Sequence, residues 1–173
     1  MRKLHGPGAA RRTGGFTTME MLVVVAILAI VTVASFPEIR NTLETRALEG
    51  AARDIHSAFQ SAKLRAVMDK VACRVRFSVS GNTTWYITEE MLTPNTWTAA
   101  PKAVLKSLPN KLTVTLSLPS TKDVVFDPTG CVTNYDSTKN TVVVSSAKLS
   151  NLSQPANRTI RWYAGGSIQY VKS

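Results

Sequence analysis

The residue types that do covalent or metal chemistry are few in this chain, and their spacing is wrong for it. Two histidines and two cysteines cannot supply the four paired ligands of a structural zinc site, so no metal is expected. His56, the only histidine after His5, lies beside an apolar stripe of helical period, where a Ser-His-Asp or Cys-His arrangement needs a partner reaching that face. Glu89 and Glu90 are adjacent on an extended segment and point to opposite faces, which does not suit two carboxylates acting on one bond. GxSxG, HExxH and phosphate-cradling glycine loops are absent. The expectation is a protein that is not an enzyme and uses no cofactor. What remains is Glu20, a lone acid in an apolar run, the pair Cys73 and Cys131, and Arg158 and Arg161 near the C-terminus.

The elements that must position these residues follow from composition. A length of 173 residues, 44% hydrophobic and 18% charged, allows one modest core plus an appendage. Residues 1–15 carry Arg2, Lys3, Arg11 and Arg12 with no acid and no apolar run, and read as a leader outside the fold. From Phe16 to Phe36 run 21 residues whose only charge is Glu20. At about 1.5 Å per residue such a helix spans the roughly 30 Å hydrocarbon core. The basic leader predicts a cytoplasmic N-terminus and an exported remainder after Pro37. The competing reading is a secretory signal cut near Ser35, but the run is longer than a usual signal core, and a disposable signal has no need of Glu20.

The stretch Gly14-Gly15-Phe16-Thr17-Thr18-Met19-Glu20-Met21-Leu22-Val23 resembles the signal of type IV pilins and type II secretion pseudopilins. The resemblance implies cleavage by a prepilin peptidase between Gly15 and Phe16, N-methylation of Phe16, and an assembly role for Glu20. Thr18 and Met19 depart mildly from the family's usual Leu-Ile. Cutting there removes the four leader charges and frees an α-amine at Phe16, largely cationic with a reference pKa of about 7.7–8.0. In a bundle of such helices Glu20 can pair with the Phe16 amine of a neighbouring copy, and losing either partner strands the other charge. The plainer reading is that Glu20 favours the positive end of its own helix and reaches the membrane interface.

Beyond Phe36 the chain turns polar without losing helical period. Leu48, Ala52, Ile55, Phe59, Ala62 and Ala66 form one apolar stripe, so residues 37–70 continue as an amphipathic helix. Bends are expected at Pro37 and, more weakly, at Gly50. Residues 16–70 hold six basic and six acidic side chains, while 71–173 hold eleven and five, so the basic excess of the mature chain lies in its C-terminal part.

From residue 71 the period shortens to two. Val71, Cys73, Val75, Phe77 and Val79 alternate with Ala72, Arg74, Arg76 and Ser78, as do Leu112, Val114, Leu116 and Leu118 with Thr113, Thr115 and Ser117. Shorter strands are expected at 85–88, 104–108, 124–126, 141–145, 159–163 and 167–171, the last two joined as a hairpin at Gly165-Gly166. The fold expected is α+β: a long N-terminal helix packed through its stripe on a small antiparallel β-sandwich head covering residues 71–173.

Phe126-Asp127-Pro128-Thr129-Gly130 followed by a strand and a glycine-centred terminal hairpin is similar to the minor pseudopilin H and FimT-like group. The resemblance implies a minor subunit at or near the tip of a type II secretion pseudopilus or type IV pilus. Its partners are then prepilin peptidase, other pilin or pseudopilin subunits and inner-membrane lipid. The head is expected in the periplasm or on an extracellular filament. The alternative is a competence minor pilin that binds nucleic acid, with Arg158 and Arg161 on phosphates and Trp162 and Tyr163 stacking on bases. Against it, the strand after Gly165-Gly166 carries no arginine, and Ile160 and Trp162 read as core. Cys73 and Cys131 lie on the oxidising side under this topology, leaving a disulfide and a buried free thiol at Cys73 as two open readings.

Overall fold

The computed structural model describes residues 15–173 except 82, 95 and 120, and only the backbone of 33–37. The leader, apart from Gly15, lies outside the described residues. The chain divides into two compact units, Met1–Ile39 and Arg40–Ser173.

In the first unit, α1 (Thr18–Asp69) begins. Thr17 caps it: its hydroxyl accepts the backbone N–H of Glu20 at 3.2 Å and its carbonyl accepts that of Met21. α1 continues through Pro37 and Gly50, the positions at which the sequence suggests bends.

In the second unit the rest of α1 lays its stripe on the sheets. Leu48, Ala52, Ile55, Phe59, Ala62 and Ala66 are all fully buried, which accounts for the 3.6-residue period of the sequence. One antiparallel sheet has the order β3-β2-β1-β6, with β4 also pairing β2. Its strands are β1 (Cys73–Ser80), β2 (Thr83–Thr93), β3 (Thr96–Ala99), β4 (Lys106–Ser107) and β6 (Asp123–Phe126). The second has the order β5-β7-β8-β9, from β5 (Thr113–Ser117), β7 (Thr141–Ser145), β8 (Asn157–Trp162) and β9 (Ile168–Lys172). Phe59 joins the layers, with ring centroids 5.9 Å from Phe77 and 6.5 Å from Phe126 on the first sheet and 5.3 Å from Trp162 on the second. The α+β fold expected from the sequence is the fold observed.

Local differences have local causes. Val79 should face inward by alternation, yet it is 50% exposed, because β1 runs past the core at its hairpin end. The strand expected over 104–108 shrinks to Lys106–Ser107, with Val104 and Leu105 exposed and only Leu108 buried. Two elements have no expectation behind them: β3, and the short α2 (Ala147–Asn151), whose cap Ser146 accepts the Leu149 N–H.

Two glycine loops meet at the end of the head. Gly130, at φ +84°, and Gly166, at φ +71°, approach so closely that a Cβ on Gly166 would overlap the Gly130 carbonyl oxygen. Lys63 of α1 donates to the Gly166 carbonyl at 2.9 Å. Asp127 organises the first loop by accepting from the Thr129 N–H and hydroxyl and the Cys131 N–H. These bonds hold the Asp127 carboxyl below its ordinary value.

Candidate functional site

The candidate site is the start of α1. Glu20 falls in its first turn, where the positive end of the helix favours an acid, and Thr17-Thr18-Met19-Glu20 has the spacing of a capping box. That local reason for Glu20 leaves its side chain exposed and open to a second partner. The surrounding surface is apolar: Phe16 is 75% exposed, Met19 70%, Leu22 66% and Ile30 70%. Among the described residues no helix is long and apolar enough to cross a membrane. The run expected to do so, 16–36, includes side chains outside the description.

The structure does not bring together the two arginines named for nucleic acid. Arg158 is fully buried, with its guanidinium on Glu49 of α1 at 3.2 Å and on the carbonyls of Pro155 and Asn157. It therefore cannot reach a phosphate, which corrects that expectation; Arg161 alone is exposed. Glu49 also faces Lys172 at 3.6 Å and Arg53 at 3.7 Å. The Arg158 hydrogen bond, with help from those cations, holds the Glu49 carboxyl below its ordinary value of 4.5. Trp162 is 1% exposed and belongs to the core.

Cys73 and Cys131 are both free, one buried and one exposed, so no disulfide joins them. Cys73 sits opposite Phe126 in the β1–β6 ladder and points inward, whereas Cys131 sits on the outside of the glycine loop. Burial, with the charge of Glu90 adding to it, pushes the Cys73 thiol up to about 11.

The remaining chemical candidates are occupied structurally. His56 is half-buried and packs edge-on to Tyr170 at 6.4 Å. Glu89 and Glu90 do face opposite ways: Glu89 takes Arg74 and Arg76, and Glu90 takes Arg65 of α1. Arg74 also bonds Asp123 at 3.0 Å and lies 4.2 Å over the Trp97 ring. Among the described residues no group of three or more His, Cys, Asp or Glu is placed to hold a metal ion.

Sequence reasoning missed the Glu49–Arg158 pair and the meeting of the two glycine loops. For Arg158 a signal existed. The alternation that puts Ile160 and Trp162 inward puts Arg158 on the same face, as the β8 burial pattern shows.

The minor pseudopilin EpsH of the Vibrio cholerae type 2 secretion system matches with a TM-score of 0.55 at 12% identity, over 72% of this chain and 95% of its own. The type IV minor pilin FimU of Pseudomonas aeruginosa matches with a TM-score of 0.47 at 15% identity, over 71% and 91% respectively. At 12% identity the EpsH likeness speaks for the fold alone. No curated protein matches the sequence. The family model for type II transport protein GspH matches residues 51–166, which take in the buried stripe from Ala52, both sheets through β8 and the two glycine loops. The chain belongs to the GspH family of type II transport proteins, the pilin-like minor pseudopilins.

Proposed function

We propose that the chain is a structural subunit at or near the tip of a type II secretion pseudopilus or type IV pilus, with mechanical and recognitional work and no catalysis. Prepilin peptidase cuts between Gly15 and Phe16, and Phe16 is N-methylated. Residues 16–36 hold the protein in the inner membrane until it is assembled, with residues 37–70 as the amphipathic continuation and 71–173 as a periplasmic head. Glu20 then pairs with the Phe16 amine of a neighbouring subunit. The observation that carries this reading is the contrast along α1. Leu48 to Ala66 bury their stripe completely in the head, while Met19, Leu22 and Ile30 on the helix, and Phe16 just before it, stay exposed and need an apolar environment from elsewhere.

The test is the mature N-terminus. In cells with an active prepilin peptidase, mass spectrometry should find a chain beginning with N-methylated Phe16. A product beginning at Met1, or near Ser35, refutes the reading. Glu20→Ala should still enter the membrane but fail to enter filaments; normal incorporation would remove the pairing role.

A further inference from the structure

One sheet edge of the head is unguarded. In the second sheet the Trp162 N–H donates to the Asn140 carbonyl and the Ser146 N–H to the Ala156 carbonyl, so the even-numbered residues of β7 turn their backbone groups to β8 and the odd-numbered ones to β5. The β5–β7 register then sets Thr113, Thr115 and Ser117 against β7. Val114 and Leu116 turn their N–H and C=O groups outward, where they have no partner among the described residues. The other edges are protected. On β6 the Val125 N–H donates to the Asn134 side chain at 3.0 Å and the Val125 carbonyl accepts the Thr133 N–H. β9 carries Lys172, and β3 has only four residues; charge and shortness are the usual guards of an edge. β5 holds no charge and no proline and pairs β7 in unbroken register.

That edge borders a groove of about 350 Å³ between the two sheets. Val114, Leu116, Leu118 and Pro119 line it from the β5 side, and Val79 of β1 and Lys122 from the other. The Lys122 carbonyl accepts the Phe77 N–H, and beyond that bond β1 has no neighbour on this side, because the chain has turned away towards β5. Val79, two residues on, therefore presents its own N–H and C=O unpartnered among the described residues and is 50% exposed. A strand laid along β5 would continue the ladder at Val114 and Leu116 and send alternate side chains into the groove. Those side chains meet an apolar lining whose one charge is Lys122, exposed and without a carboxylate partner among the described residues. An acid on the incoming strand answers it. A second copy of this chain would instead bring another Lys122 and another head with eleven basic against five acidic side chains, so charge disfavours self-pairing.

We propose that the β5 edge and its groove take up an extended, acidic segment of a different protein as an added strand, with apolar side chains alternating into the groove and a carboxylate on Lys122. The inference goes beyond the subunit reading above and stands on the head alone. It is tested by titrating the isotope-labelled full chain in detergent with the blocked peptide acetyl-Thr-Val-Thr-Val-Thr-Glu-amide, whose valines and glutamate share one face. Saturable NMR shifts should cluster at 79, 114–118 and 122, and hydrogen exchange at the Val114 and Leu116 amides should slow at least tenfold at saturation. The same peptide with every backbone N–H methylated should bind at least tenfold more weakly. Lys122→Glu changes an exposed, unpaired side chain and should fold; it should weaken the peptide at least tenfold and regain binding when the peptide ends in lysine. No saturable shift, equal binding of the methylated peptide, unchanged exchange at Val114 and Leu116, or no reversal in Lys122→Glu overturns the proposal. Concentration-dependent protection of those two amides without peptide would make a second copy the occupant and overturn it as well.

Discussion

Replacing Gly166 by alanine should be among the most damaging single-methyl changes in the head. Two costs combine. Gly166 has φ +71°, and a side chain in that region costs roughly 1–2 kcal/mol. The new Cβ would also overlap the Gly130 carbonyl oxygen, standing 3.0 Å from its carbon and 3.2 Å from Lys63 Nζ. The obstacle is backbone, which cannot rotate away, and such overpacking costs roughly 1–3 kcal/mol. The expected loss is about 2–5 kcal/mol, a large part of the roughly 5–15 kcal/mol that stabilises a typical domain. Gly165→Ala is the control: nothing lies within 4 Å of its Cβ and no positive φ is involved, so the change should stay within about 0.5 kcal/mol. Urea unfolding of the full chain in detergent, followed by tryptophan fluorescence, measures both. If Gly166→Ala unfolds within about 0.5 kcal/mol of the parent, the two loops do not constrain each other as described.

Three further outcomes follow from the buried and paired groups. A maleimide applied to the native chain at pH 8 should modify Cys131 and leave Cys73 intact, and denaturation should expose two thiols; a native chain with no reactive thiol would mean that a bridge forms after all. Because the Cys73 thiol titrates higher folded than unfolded, the unfolded chain deprotonates first, so stability should fall as pH rises from about 9 to 11. Cys73→Ala should flatten that slope, and an unchanged slope would assign it to other groups. Glu49 is shifted the other way, so its contribution is present above pH 4.5 and is lost as pH falls through its lowered folded value. Glu49→Gln should reduce the loss of stability on acidification, and identical acid transitions in mutant and parent would dismiss the pair as a stabilising contact.

Much of the fold was legible because period reports burial directly. All six stripe residues of α1 are fully buried, and β7 has the bounds Thr141–Ser145 that the apolar run suggests. The β8–β9 hairpin at Gly165-Gly166 is also observed. Elements without a periodic signature were missed, notably β3, whose four residues Thr96–Ala99 are too few to alternate convincingly. The apolar pair Val104 and Leu105 suggests a strand over 104–108, yet both lie exposed before the short β4, since loops expose such residues freely. At the candidate site, Glu20 was visible as the one charge in an apolar run, but its Thr17 cap was not singled out. Arg158 offers a phosphate contact by residue type, the alternative reading, but it sits on the inward phase of β8; only the fold shows that Glu49, 109 positions earlier, faces it from the helix.

The aromatic junction at Phe59 has a mechanical consequence. Because that ring touches Phe77, Phe126 and Trp162 at once, a pull on α1 within the head is delivered to both sheets at their common centre. The helix cannot slide free of one layer while staying seated on the other. Displacing the helix within the head therefore disturbs both layers together, so the helix and its two sheets should loosen in one step.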